Sequence, residues 1–159
     1  MKLYHGSNVE IKDIDLNKSK PNKDFGQGFY LSDNLEQALE MAKIKVLQLD
    51  YGQPIVNTYS FNENLLKDGT LRVKRYYDYT KDWAEFIVAN RKNNTNMPIH
   101  DYDVVIGPIA DDRIGVQLWQ YESKMIDLET LMNRLKYIKG ITIQYYFGTD
   151  KSIKYLERV

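Results

Sequence analysis

Between Asn34 and about Leu49, apolar side chains fall at Leu35, Ala38, Leu39, Ala42, Val46 and Leu49. This three-and-four spacing predicts an amphipathic helix, with Ser32, Asp33 or Asn34 in place to cap it. Other stretches follow the period of a strand. Phe29-Tyr30-Leu31 reads as a short buried strand with Tyr30 on the face opposite its neighbours. Ile55 to Phe61 is rich in β-branched and aromatic residues, and Tyr102 to Pro108 is a buried strand stopped by Gly-Pro. Ile141 to Phe147 alternates, with Gln144 and Tyr146 on one face and Ile143, Tyr145 and Phe147 on the other. Met1 to Tyr4 is expected to form a first strand ended by His5-Gly6-Ser7, and Leu71 to Val73 a shorter one.

Three more helices are expected before the C-terminus. Asp82 to Arg91 spaces Trp83, Phe86 and Ile87 helically behind Thr80 or Asp82 as cap. Asp111 or Asp112 opens a second, through Val116, Leu118 and Trp119. Asp127 caps a third, which turns Leu128, Leu131, Met132 and Leu135 inward and ends at Lys139-Gly140. A short terminal helix over Asp150 to Leu156 closes the chain, while polar Val9 to Asp24 reads as a surface loop. Short strands interrupted by helices without strict alternation point to an α+β fold, not a doubly wound parallel sheet.

Composition narrows the class. A chain of 159 residues fits one domain over residues 1–159. With no cysteine, disulfides, zinc–thiolate sites and thiol nucleophiles are excluded. The first residues lack a signal-peptide core and no run approaches the ~18 apolar residues of a membrane span, so the expected location is the cytoplasm, away from membranes. Lysine and arginine balance aspartate and glutamate at 22 each, leaving no overall field to draw nucleic acid. The 13 tyrosines suit strand packing with polar tips, or a stacking surface.

Two short motifs carry the candidate chemistry. In Asp24-Phe25-Gly26-Gln27-Gly28-Phe29-Tyr30-Leu31-Ser32-Asp33, Gly26 and Gly28 permit positive φ or a close backbone approach, and the helix that follows brings free N–H groups near the turn. In Leu3-Tyr4-His5-Gly6-Ser7, an imidazole at a strand end is joined by a residue without Cβ and a hydroxyl. Lys18, Lys20 and Lys23 lie between the two.

These pieces together resemble the ADP-ribosyltransferase superfamily, in its diphtheria-toxin-like and poly(ADP-ribose) polymerase-like branch. Over nearly the whole chain the sequence is similar to the small bacterial DUF3990 family. The likeness rests on residues 3–7, 24–31, 102–108 and 144–147. It implies two small, bent, mostly antiparallel sheets flanked by helices and enclosing an NAD cleft. The catalytic residues it implies are His5 for a ribose hydroxyl, Tyr30 for stacking on nicotinamide, and Gln144, or Tyr146 in a shifted register. Gly6, Ser7, Phe25, Gly26, Gly28 and Ser32 would border the dinucleotide, with no metal required.

The third position departs from the polymerising members, which carry a glutamate there. A neutral amide orients hydroxyls without supplying negative charge, so single transfer of ADP-ribose is expected. The polymerase pocket serine and second stacking tyrosine would fall at Ala38 and Met41. The acceptor would be a protein or nucleic acid, and the enzyme a toxin held by a neutralising antitoxin protein. The alternatives are an NAD glycohydrolase, an RNA 2′-phosphotransferase-like enzyme, and a non-catalytic NAD-, ADP-ribose- or protein-binding module.

Overall fold

A computed structural model describes residues 1–159. Seven strands form two sheets. β1 (Lys2–Ser7), β3 (Ile55–Ser60) and β7 (Glu157–Arg158) make a three-stranded sheet in the order β1-β3-β7. β2 (Phe29–Leu31), β6 (Ile143–Phe147), β5 (Val104–Pro108) and β4 (Val73–Arg75) make a four-stranded sheet in the order β2-β6-β5-β4. Every pairing is antiparallel except β4 with β5. One backbone bridge joins the sheets, with Tyr4 and Ser32 exchanging N–H···O bonds of 2.8 Å in both directions.

The period-two alternation of the larger sheet decides where its two cores lie. Phe29, Leu31, Val104, Ile106, Tyr145 and Phe147 point towards the smaller sheet and pack with Leu3, Tyr59 and Phe61. On the opposite face, Val105 and Tyr146 pack beneath α2 (Lys81–Arg91), α3 (Asp112–Glu122) and α4 (Leu128–Leu135), with Trp83, Ile87, Ile114, Leu118, Leu131 and Leu135 fully buried. Trp83 fits there because its indole N–H reaches Pro108 O at 3.1 Å. The expected faces of β2 and β6 are the observed ones, and the class is α+β.

α1 (Leu35–Leu49) packs on β1 and β3, capped by Asn34, whose side chain accepts from Gln37 N–H. Its contact is narrower than its apolar stripe. Only Ala38 and Ala42 are buried, while Leu35, Leu39 and Leu49 are exposed. Small residues set that approach: Ala38 and Ala42 of the helix face Gly6 of β1.

Several boundaries differ from expectation. His5, Gly6 and Ser7 do not end β1 but continue it, pairing with Asn57, Val56 and Ile55. The strand expected at Leu71 to Val73 is β4 and runs over Val73–Arg75, because it pairs with Val104–Ile106. In α3 the buried residues are Ile114 and Leu118, with Val116 and Trp119 facing out. α4 stops at Leu135, and Gly140, at φ +82°, lies in the turn leading to β6. The terminal helix α5 (Asp150–Ile153) is a single turn closed by a capping box from Thr149. The chain then re-enters the smaller sheet as β7, whose exposed Glu157 and Arg158 carry no apolar alternation. Asp103 is structural: its carboxylate accepts from Arg72 N–H and Thr149 Oγ1 at 2.8 and 2.7 Å.

Candidate functional site

A cleft of about 180 Å³ opens where β1, β2 and β6 meet beside α1. β1 contributes His5 and Gly6, β2 contributes Tyr30 with Ser32 just beyond it, and β6 contributes Gln144. The register explains the last two. Tyr30 pairs with Tyr146, so Gln144, two residues away on the same strand, shares the Tyr30 face. α1 forms the far wall with Ala38, Met41 and Lys45, and Lys23 enters from the long loop. The helix lies so close because Gly6 has no side chain. A Cβ there would sit 1.9 Å from Ala38 O and 2.7 Å from Ala42 N.

His5 is held at both ring nitrogens. Nδ1 lies 2.6 Å from Tyr30 O and, facing a carbonyl, carries the proton that it donates. Nε2 is then the acceptor, and Lys45 Nζ donates to it at 3.3 Å. The ring also stacks on Phe29, with centroids 4.3 Å apart. Burial chiefly, then the Lys45 ammonium, and to a lesser degree Lys23, push its pKa down to about 4. The imidazole is neutral at physiological pH and offers a lone pair. Burial also lowers the pKa of Lys45, helped by Lys23.

Tyr30 is fixed by its hydroxyl, which donates to Gly26 O at 2.6 Å and accepts from Phe25 N–H at 3.0 Å. Burial raises its pKa well above the ordinary value, so the phenol stays protonated and its usable feature is the ring. That ring already carries a cation, with Lys23 Nζ 5.2 Å from the centroid. Gln144 differs from both. Its Nε2 is buried and has no hydrogen-bond partner, a donor that a ligand oxygen would satisfy. Ser32 turns the chain into α1, accepting from Asn34 N–H at 3.0 Å and donating to Gln37 Oε1 at 2.5 Å. No aspartate or glutamate lines the cleft.

Of the residues expected at the site, His5, Gly6, Tyr30, Ser32 and Gln144 are brought together here. Four are not. Ser7 is buried, with its hydroxyl accepting from Val9 N–H. Phe25 is fully buried in the core beneath the helices. Gly28 makes room for the Tyr146 ring, which a Cβ would approach to 2.2 Å. Gly26, at φ +97°, faces a second cavity together with Tyr146. Tyr146 therefore does not stand in for Gln144. Lys45 was missed, although it lies four residues after Met41 and seven after Ala38, and helical periodicity alone places all three on one wall.

The chain belongs to the family described as "Protein of unknown function (DUF3990)", whose model matches residues 1–158. No curated protein matches the chain. No solved structure matches it either.

Proposed function

We propose that the protein is an NAD-dependent mono-ADP-ribosyltransferase built on an ADP-ribosyltransferase-like fold. The observation that carries this reading is the convergence of His5, Tyr30 and Gln144, from three separate strands, on one cleft. The buried, unpartnered amide nitrogen of Gln144 adds a polar group in want of a ligand. At about 180 Å³ the cleft is smaller than the ~300–1,000 Å³ of ordinary ligand pockets, and it suits the nicotinamide end of NAD.

The residues match the parts of that ligand. The Tyr30 ring supports a cationic nicotinamide, as it now supports the Lys23 ammonium. A ribose hydroxyl that takes the place of Lys45 donates to His5 Nε2, which frees that ammonium for the pyrophosphate, and Gln144 Nε2 donates to ribose oxygen. Lys23 and Lys45 supply countercharge to the pyrophosphate. NAD brings a labile bond between nicotinamide and ribose, whose cleavage passes through an oxocarbenium-like state. With no carboxylate on the cleft wall, the chain contributes positioning more than charge stabilisation, which favours transfer of one ADP-ribose over chain growth. The same lack of a carboxylate favours one rival, a domain that binds NAD or ADP-ribose without turnover.

Incubation with NAD labelled in its adenylate half, with and without cell lysate, separates the readings. Nicotinamide release with label on a protein or nucleic acid establishes the transferase and names its acceptor. Release with free ADP-ribose alone means a glycohydrolase. Binding without release overturns the enzyme reading, and Gln144→Glu then tests whether the missing charge is the cause.

A further inference from the structure

The larger cavity, about 620 Å³, lies on the other side of the Gly26 turn and has no part in the proposed NAD site. Its floor is unusual. The point that a Cβ on Gly26 would occupy is 3.2 Å from Asn90 Oδ1, 3.6 Å from His100 Nε2 and 3.7 Å from the Tyr146 hydroxyl. Asn90 is only 1% exposed, and its Nδ2 is committed to Phe86 O at 2.8 Å. Its Oδ1 therefore faces this hollow as an acceptor with no donor. Tyr146 donates to Gln27 O at 3.0 Å and keeps its lone pairs. His100 donates from Nε2 to Phe25 O at 2.7 Å and accepts from Tyr102 N–H at Nδ1, so it is neutral and fully used.

The walls continue the same chemistry. Asp15, Asp101 and Asp150 line the cavity, and no lysine or arginine does. Asp101 is paired with Arg72, whereas neither Asp15 nor Asp150 makes an ion pair. The carboxylates are not gathered into a group that could hold a metal ion. What is wanted is a planar cation with several N–H donors, able to reach the open acceptor at the cavity floor while stacking beside aromatic rings. A nucleic acid would bring phosphates to a wall of carboxylates and is disfavoured.

We propose that this cavity binds the guanidinium of an arginine side chain presented by a polypeptide partner. The guanidinium donates to Asn90 Oδ1 and the Tyr146 hydroxyl at the floor, and Asp15 and Asp150 balance its charge at the mouth. The amides of Asn17 and Asn96, also on the wall, are placed for the backbone of the same peptide. The assignment does not depend on NAD binding in the cleft.

The test is a ¹H–¹⁵N titration of the full chain with Nα-acetylarginine amide and, in parallel, with the citrulline analogue, a neutral isostere. The expected result is that arginine shifts the Gly26 and Gly148 backbone signals and the Asn90 side-chain amide, leaving Gly6 and Gln144 in place. Citrulline should bind about tenfold more weakly or worse, the loss expected when a charge-assisted contact becomes a neutral one. Asp15→Asn combined with Asp150→Asn, both exposed positions, should weaken arginine by about the same factor. Equal responses to arginine and citrulline, no response at Gly26 and Asn90, or an unaltered affinity in the double variant would overturn the proposal. So would a nucleoside bisphosphate that shifts these signals at lower concentration than arginine. NAD, titrated separately, reports at Gly6 and Gln144, so either site can fail alone.

Discussion

The two cavities flank a single turn and are opposites in charge. One wall carries His5, Lys23 and Lys45 and no carboxylate; the other carries three separated aspartates and several amides and no lysine or arginine. Adjacent residues ahead of the turn point in different directions. Lys23 enters the cleft, while Asp24 turns away to pair with Arg91 of α2 at 2.7 Å. A chain with 22 charges of each sign therefore carries two local fields that its totals hide. Net charge speaks to long-range attraction, not to what a particular wall will accept.

Gly6 in the cleft and Gly26 in the larger cavity are glycines for different physical reasons. Gly6→Ala drives a Cβ into the backbone of α1, with no side chain to yield. The expected loss is more than about 3 kcal/mol, or failure to fold, measured by urea denaturation. A stable Gly6→Ala protein with an intact α1 would refute the close approach that shapes the cleft.

The next effect belongs to His5. Its pKa is lowered to about 4 in the folded chain, against about 6.5 unfolded, so between these values the unfolded state binds the extra proton. Stability is therefore full above about pH 6.5, falls as pH drops towards 4, and loses on the order of 3 kcal/mol across that window. His100, also lowered by burial, contributes in the same direction from the other cavity. Comparing His5→Gln with His100→Gln by denaturation at several pH values apportions the slope. The steeper part should vanish with His5; an unchanged slope in His5→Gln would mean that its imidazole is not held neutral by its surroundings.

What could be read before the structure was known follows from how local each signal is. Strand faces are set by a period of two, and Tyr30, Gln144 and their neighbours were legible because nothing outside the strand is needed to assign them. Helix starts were legible for the same reason. Asp127 stands alone as a cap, whereas Asn34, Thr80 and Asp111 each stand among two or three candidates that only the structure decides between. The end of α4 was not, because the Lys139-Gly140 signal suits a turn before a strand as well as a helix end. β7 was not, because two exposed residues paired only through their backbone leave no pattern. Half of the glycine motif was misplaced for a physical reason. Phe25, Gly26 and Gly28 share a segment with Tyr30, but the turn at φ +97° sends them to the core and the second cavity. The second cavity left no trace at all. Its walls come from three distant stretches of chain, residues 14–27, 90–102 and 146–150, joined only by the fold.

Gly26→Ala sharpens the contrast with Gly6. The added Cβ meets a side-chain oxygen at 3.2 Å, but the backbone sits at φ +97°, a conformation that disfavours any L side chain. The cost should be about 1–2 kcal/mol in urea denaturation, smaller than at Gly6. The methyl group would also occupy the hollow in front of Asn90 Oδ1, so arginine binding should fall further than stability does. A folded Gly26→Ala protein that binds arginine normally would place the guanidinium elsewhere.

The mildest change tests the charge of the cleft alone. Lys45→Met keeps most of the aliphatic stem on the α1 wall of the cleft and removes one of the two ammonium groups. Binding of inorganic pyrophosphate at low salt should weaken about tenfold, with a shallower salt dependence, because one counterion contact is lost. Arginine binding in the larger cavity should not change. The His5 pKa, followed by proton NMR, should move up from about 4, since the ammonium that helps to depress it is gone. These readouts separate the two roles that Lys45 could have. If pyrophosphate affinity holds while the His5 pKa rises, Lys45 serves the imidazole and not an anion, and Lys23 alone must meet the pyrophosphate. If neither moves, the contact between Lys45 and His5 is incidental, and the cleft owes its charge to the loop and not to the helix.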